Sequence, residues 1–240
     1  MITLYQYSTS PFCEKVRRAL GFKGLDYEIH EVQRFNPERY AEVTPVGKYP
    51  VIEHDGNYVF DSTDIIAYLD QQFAEKLLMP ADPAKAALAH VIEDWADESL
   101  YFYEMTMRLA WEHNCSKRVV HEFVATMPGM TVEKALPLIV KTVGDKVSEQ
   151  GLGKKPRENV VRDAERHFTA LDRMLEGGDW LLGDALSVAD IAVAPQVKAL
   201  LYAEEVVPFA DARPRIGAWL ERVDEVAPDR QQRLAAGVAP

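Results

Sequence analysis

Cysteine is scarce in this chain: Cys13 and Cys115 are the only two among 240 residues. That excludes a disulfide framework and a thiolate zinc site, and it fits a reducing compartment. Long apolar runs are missing as well. The most apolar stretch, 188–201, is broken by Asp190, Pro195 and Lys198 and is too short to span a bilayer. The opening residues Ile2-Thr3-Leu4-Tyr5-Gln6-Tyr7 read as a strand and lack the basic and apolar regions of a signal peptide. A soluble, cytoplasmic protein is therefore expected. Positive charge is in deficit, with 27 Lys and Arg against 38 Asp and Glu and a formal net charge of -11. Binding to nucleic acid or to an anionic membrane calls for a basic face and is not expected, although a local basic pocket for a small anion is compatible with this balance. Repeats and low-complexity tracts are absent from the sequence.

What is present is core material. Hydrophobic residues make up 48% of the chain, a globular composition, and the length suits one or two domains. The first third alternates strand and helix signals. After the strand 2–7, Ser10 precedes Pro11, which is a helix start. Phe12, Val16, Ala19 and Leu20 then share one helical face, closed by Gly21 and Gly24. A second strand is expected over 27–32, a short helix or turn over 37–43, and a hairpin over 51–60 turning at Asp55-Gly56-Asn57. A helix follows, with Ile65, Ile66, Leu69 and Phe73 on one face. The order is βαβ, a short helix, then ββα, within 1–78. Residues 79–83, with Pro80 and Pro83, read as a linker. From 84 to 240 strand signals nearly vanish, and an all-helical bundle is expected, with a long first helix over 84–113 and a flexible break at 151–156.

Four features carry chemistry. Ser10-Pro11-Phe12-Cys13 is a C-x-x-C frame with serine in the first position. Ser10 either simply caps the helix or uses the same helix terminus, which favours anions, to donate a hydrogen bond to a bound thiolate. Cys13 is either a buried small hydrophobe or a thiol with a lowered pKa. Lys48-Tyr49-Pro50 places proline at a strand start, either as an ordinary edge proline or as a bend, cis or trans, that offers the Tyr49 backbone to a peptide-like ligand. Asp61-Ser62 is a helix cap or a pair able to hold an ammonium and a carboxylate. Ser187 and Asp190 make a capping-box pattern before an apolar helix, which reads as structural.

Together these features resemble the cytosolic glutathione transferases over nearly the whole chain. Residues 10–13 with Lys15-Val16-Arg17 are similar to the active-site turn of the serine and cysteine classes, the tau and omega types above all. Lys48-Tyr49-Pro50 stands where that family has its cis-proline, Asp61-Ser62 where it usually has Glu-Ser, and 187–190 at its capping box. The resemblance implies a thioredoxin-like glutathione-binding domain followed by an all-helical domain with the second-substrate site. It implies a glutathione S-transferase, working as a homodimer on glutathione and a small hydrophobic electrophile, with no metal. A disulfide reductase, dehalogenase or isomerase, or a non-catalytic glutathione-binding module, are the alternatives. Ser10 then stabilises the glutathione thiolate, with Tyr7 or Cys13 as alternatives. Lys48 reaches the glycine carboxylate, the Tyr49 backbone pairs with the cysteinyl part, and Phe12, Pro50, Asp61 and Ser62 complete the glutathione site. Tyr103, Met107 and Trp111, four residues apart on the long helix, are either core or an apolar wall for the second substrate.

Overall fold

The structure, a computed structural model, describes residues 1–34 and 37–230. The last ten residues of the expected helical domain, 231–240, lie outside the described residues.

Strand β1 (Ile2–Gln6) buries alternate side chains, Ile2, Leu4 and Gln6, as period two requires. It lies in the middle of a four-stranded sheet of order β2-β1-β3-β4. Helix α1 (Pro11–Lys23) carries the chain over to β2 (Tyr27–Glu31), which pairs parallel with β1, Leu4 opposite Ile29. A parallel neighbour needs such a crossover helix. The segment Pro37–Tyr40 is a single 3-10 turn. β3 (Val51–His54) returns antiparallel to β1 and forms the expected hairpin with β4 (Asn57–Phe60). Asp55 and Gly56 take the positive φ values of 52° and 79° that a tight two-residue turn demands. Helix α2 (Ser62–Gln72) then packs Ile65, Ile66 and Leu69 beneath the sheet.

Helix α3 (Pro83–Asp94) opens the helical domain, capped by the Asp82 carboxylate on the Lys85 N–H at 2.9 Å. Helix continues to Ala110, but two π-helical stretches, Trp95–Leu100 and Met105–Ala110, flank the short α4 (Tyr101–Glu104). Trp111 is extended, so the helix ends three residues before the predicted 113. Then come α5 (Glu112–Asn114), a third π-helical stretch at Cys115–Val119, α6 (Val120–Ala125), α7 (Val132–Gln150), α8 (Arg157–Met174) and α9 (Val188–Leu200). α10 (Val207–Asp211), which the sequence pattern did not announce, and α11 (Pro214–Val226) close the described chain. No helix among the described residues is long and apolar enough to cross a membrane.

One buried core cluster runs through both domains, and a second, around Leu109, Cys115, Val119, Val120 and Ile139, lies within the helical domain. α9 is buried all round except at Lys198, as an apolar helix in a core should be. Asp190 fixes its start: Oδ2 accepts the Ser187 N–H at 2.9 Å and hydroxyl at 3.0 Å, and Oδ1 accepts the Leu181 N–H and the Trp219 indole N–H, each at 2.9 Å. All this occurs at full burial, so Ser187 and Asp190 tie three segments together and stand away from any cleft.

α1 holds an unexpected feature. Besides Val16, Ala19 and Leu20, it buries Lys15, Arg17 and Arg18. Arg17 pairs with Asp229 at 2.7 Å and with the Gln6 amide oxygen at 2.6 Å. Arg18 meets Glu14 at 2.6 Å, Asp224 at 2.7 Å and the Ala227 carbonyl at 2.9 Å. At Gly21 a Cβ would come within 2.2 Å of the Pro228 carbonyl oxygen, so the segment after α11 packs where only glycine fits. These contacts clamp α1, and with it the turn that precedes it, between sheet and bundle.

Candidate functional site

A cleft of about 530 Å³ opens between the sheet's end and the helical domain. One half is lined by Tyr7, Ser10, Phe12, Lys48, Tyr49, Pro50, Asp61 and Ser62. Every glutathione-site residue that the sequence singled out in the first domain therefore meets in one place, except Cys13.

Ser10 has an extended backbone, φ -88° and ψ 126°, and its carbonyl accepts the Glu14 N–H at 3.0 Å. Its hydroxyl makes no capping hydrogen bond to the helix. Pro11, with its fixed φ and missing N–H, starts the helix without that help. The two readings of Ser10 thus separate: the residue sits at the cap position, but its hydroxyl makes no cap bond and instead interacts with the Cys13 thiol. Tyr7 is half-buried and accepts the Ser10 N–H on its carbonyl at 3.0 Å. Burial raises its phenol above the ordinary value, against the pull of Arg34.

Cys13 is fully buried and does not line the cleft. Burial pushes its thiol up, although Arg17, the Tyr7 backbone and Ser10 all pull it down. Cys115 is also buried, and its thiol is pushed up to about 11, again by burial. Neither sulfur is a poised nucleophile. The folded protein is expected to show no fast-reacting thiol with a disulfide reagent, and two after unfolding in guanidinium. One fast thiol, lost in Cys13→Ser, would contradict this placement.

Lys48 is exposed at the rim and pairs with no carboxylate among the described residues. Tyr49 precedes a cis peptide bond to Pro50, directly before β3. Asp61 carries φ 75°, a region that non-glycine residues avoid, and its carboxylate accepts the Thr63 N–H at 2.9 Å. Such backbone outliers cluster at ligand clamps. Ser62 is buried, and its hydroxyl accepts a hydrogen bond from Lys15 at 3.3 Å.

Lys15 is the centre of a buried network. Its ammonium contacts Glu93 closely and reaches Asp97 at 2.6 Å; Glu93 also accepts a short hydrogen bond from Thr63. Glu93 and Asp97 both line the cleft. The Asp97 carboxyl is pushed up to about 7, chiefly by burial and further by Glu93, while Lys15 opposes the shift. Its Oδ1 has no hydrogen-bond partner among the described residues. A carboxyl whose folded pKa lies above its unfolded value adds stability at low pH, and that contribution fades as pH rises through the folded value. For Asp97 the fade runs from its ordinary 3.8 to about 7. Asp97→Asn is expected to gain stability relative to the native chain between about pH 4 and about pH 7 in urea melts. A difference constant across that window would contradict the assignment.

The other half of the cleft corrects one expectation. Tyr103, Met107 and Trp111 do not line it. Met107 is fully buried in the core, Tyr103 packs its ring edge-on to His167 at 4.8 Å, and Trp111 stacks on His113 under the Arg157 guanidinium. The wall comes instead from Tyr101, Phe102, Met105, Arg108 and Leu109, facing Arg34, Phe123, Val143 and Lys146. Residues 101, 105 and 109 keep the same spacing of four, but a shift of two residues turns a helical stripe by about 200°. The π-helical stretches also insert residues into the α register, as often happens at functional sites. Phe12 joins the halves, meeting Tyr101 edge-to-face at 4.8 Å.

Sequence reasoning missed Asp97, Arg34 and Arg108. An acidic residue on a long helix and a lone arginine in a loop carry no local signal; only the fold brings them to the cleft. Ligand atoms of His113, Glu204 and Glu205 also converge within 4.8 Å. They are already satisfied there by Arg157, Lys117 and Asn114.

Comparison with known proteins agrees with this fold. The profile of the glutathione S-transferase N-terminal domain matches residues 4–77, and that of the C-terminal domain matches residues 154–222. A zeta-class glutathione S-transferase of Euphorbia esula is 26% identical over 210 residues, covering 83% of this chain and 76% of that protein. The maleylacetoacetate isomerase of Rattus norvegicus is 26% identical over 207 residues, covering 81% and 76%. Among solved structures, the beta-etherase LigF of Sphingobium sp. strain SYK-6 superposes with a TM-score of 0.69 at 23% identity, over 98% of this chain and 99% of that one. At that identity it speaks for the fold alone: a thioredoxin-like domain followed by a helical domain.

Proposed function

The chain belongs to the glutathione S-transferase family, and on that premise we propose that it binds glutathione in the first-domain half of the cleft and activates its thiol at Ser10. The observation that carries the proposal is the Ser10 hydroxyl, which stands at a helix N-terminus, borders the cleft and makes no capping bond to the helix. Lys48, unpaired at the rim, takes the glycine carboxylate. The Tyr49 backbone beside Pro50 pairs with the cysteinyl part. Asp61 and Asp97 receive the γ-glutamyl ammonium and Ser62 its carboxylate. Phe12 packs against the peptide.

The energetics are modest. A free thiol with pKa ~8.5 is only about 3% thiolate at pH 7. Lowering it by ~2 units requires about 2.7 kcal/mol. A hydrogen bond to a charged group supplies ~1.5–3 kcal/mol, and a helix terminus ~0.3–1 kcal/mol. Serine need not ionise; it donates, and the thiolate attacks an electrophilic carbon of the second substrate. That substrate lies against Tyr101, Phe102, Met105 and Leu109.

A glutathione-dependent isomerase is the second reading, favoured by the likeness to a zeta-class enzyme and to a maleylacetoacetate isomerase. Thiol transfer through a mixed disulfide is disfavoured, because Ser10 has no sulfur and Cys13 is buried. Calorimetry with glutathione tests the shared premise, and absence of binding at millimolar concentration would overturn both readings. A dinitrophenyl halide then tests conjugation, and a cis enone of a dicarboxylic acid tests isomerisation. A homodimer in the cytoplasm completes the proposal. Tyr58 and Phe60 on β4, with Leu88 and Val91 on α3, are exposed apolar side chains that a second copy would cover.

A further inference from the structure

Resting on that reading of the cleft, we infer that its helical-domain half contains an anion subsite built on Arg34 and Arg108. The second substrate would then be an aromatic molecule bearing a carboxylate or an equivalent anionic group, in place of the neutral hydrophobic electrophile expected from the sequence.

The two guanidinium groups are placed for it. Arg108 lines the cleft with its side chain 7% exposed, yet its Nε has no hydrogen-bond partner among the described residues. Its Nη2 pairs with the fully buried Glu104. The Arg34 guanidinium lies over two rings, its Cζ 4.0 Å from the Tyr7 centroid and 4.5 Å from that of Phe123. Its Nη2 donates to the Thr9 hydroxyl at 2.9 Å, while its Nε is buried without a partner among the described residues. The nearby Glu31 carboxylate favours the charged form of Arg34, but its oxygens accept from the Gln6 amide at 3.2 Å and from the Ser8 N–H and hydroxyl at 2.8 and 3.0 Å. Glu104 takes the Nη2 of Arg108, and the Nε donors of both arginines are left without an acceptor among the described residues.

Buried donors without acceptors are rare and costly, so such a pair marks a place where an acceptor is expected to arrive. A carboxylate is the natural match for a guanidinium edge. It would also relieve the repulsion between the two arginines. Burial lowers the basicity of Arg34, against the pull of Tyr7, Glu31 and Cys13, and Arg108 adds a smaller push in the same direction as burial. The charge does not stand alone: Tyr101, Phe102 and Phe123 supply aromatic faces around it. Because the Tyr7 carbonyl holds the Ser10 N–H, an anion on Arg34 lies beside the thiol end of the glutathione site and would orient the substrate's reactive carbon toward it.

The test compares 2-naphthoate with its neutral isostere 2-naphthamide, neither of which reacts with a thiol. Binding is measured by fluorescence with and without saturating S-methylglutathione. The native protein is expected to prefer the carboxylate by about tenfold or more, with the preference shrinking as salt is raised. Arg34→Gln is expected to abolish the preference, Arg34→Lys to retain part of it, and Lys154→Gln, exposed and outside the cleft lining, to leave it intact. Equal affinities in the native protein, or a preference that survives Arg34→Gln or vanishes in Lys154→Gln, would overturn the inference. S-methylglutathione titrated alone reports on the glutathione half, so its failure to bind is read separately from lost discrimination between the naphthyl probes.

Discussion

Ser10→Ala is expected to lose about 10–150-fold in conjugation rate while binding glutathione nearly as well as the native protein. The hydroxyl stabilises a thiolate and does not hold the peptide, so the loss falls on turnover. The helix start does not depend on this hydroxyl, since Pro11 sets it and no side-chain cap bond is formed, and the substitution removes its interaction with the buried Cys13 thiol. The melting temperature should therefore barely move, although a working cap would cost about 1 kcal/mol. Tyr7→Phe is the contrasting variant. Its phenol is half-buried beneath Arg34 and raised above the ordinary value, and removing it should cost little. A crippled Tyr7→Phe beside an unimpaired Ser10→Ala would transfer the catalytic role to Tyr7.

The largest effect on stability is expected at Lys15. Its ammonium is the cation facing Glu93 and Asp97 in a buried network that joins α1, the start of α2 and α3. Lys15→Met keeps most of the volume and leaves two buried carboxylates without their counter-charge. Breaking a buried pair in this way costs about 3–5 kcal/mol. For a chain of this size that lowers Tm by roughly 6–20 °C. Replacing the acids as well, with Glu93→Gln and Asp97→Asn added to Lys15→Met, should recover most of the loss, because the cost lies in uncompensated charge and not in packing. A Lys15→Met variant that melts with the native protein would show that the network does not hold the domains together.

The pattern of what the sequence disclosed has a physical basis. Ser10-Pro11, the Asp55-Gly56 turn and the Ser187–Asp190 pair are local devices, whose meaning lies within four residues of chain. Each was legible, and so were the elements they start or end. The residues of the first-domain half of the cleft lie at such breaks, which is why they were found. Long-range pairing left no trace of that kind. Lys15 meets Glu93 78 residues later in the chain, and Arg17 meets Asp229 212 residues later. Three basic residues on a helix ordinarily signal a solvated face, yet here all three are buried. The helical wall of the cleft was not legible for a different reason. A stripe of four-residue spacing has an equally regular twin two residues away, and only packing decides which one faces the cleft. Met107 was drawn into the core while Met105 and Tyr101 border the cavity.

The central claim is that Ser10 holds bound glutathione as a thiolate. The most direct measurement is a pH titration of the ultraviolet absorbance of the thiolate in the glutathione complex, native against Ser10→Ala. The expected result is a bound thiol titrating about 2 units below the free value of ~8.5 in the native protein and returning close to that value in Ser10→Ala. A bound thiol that titrates at the free value in the native protein, or one equally shifted in Ser10→Ala, would contradict the account.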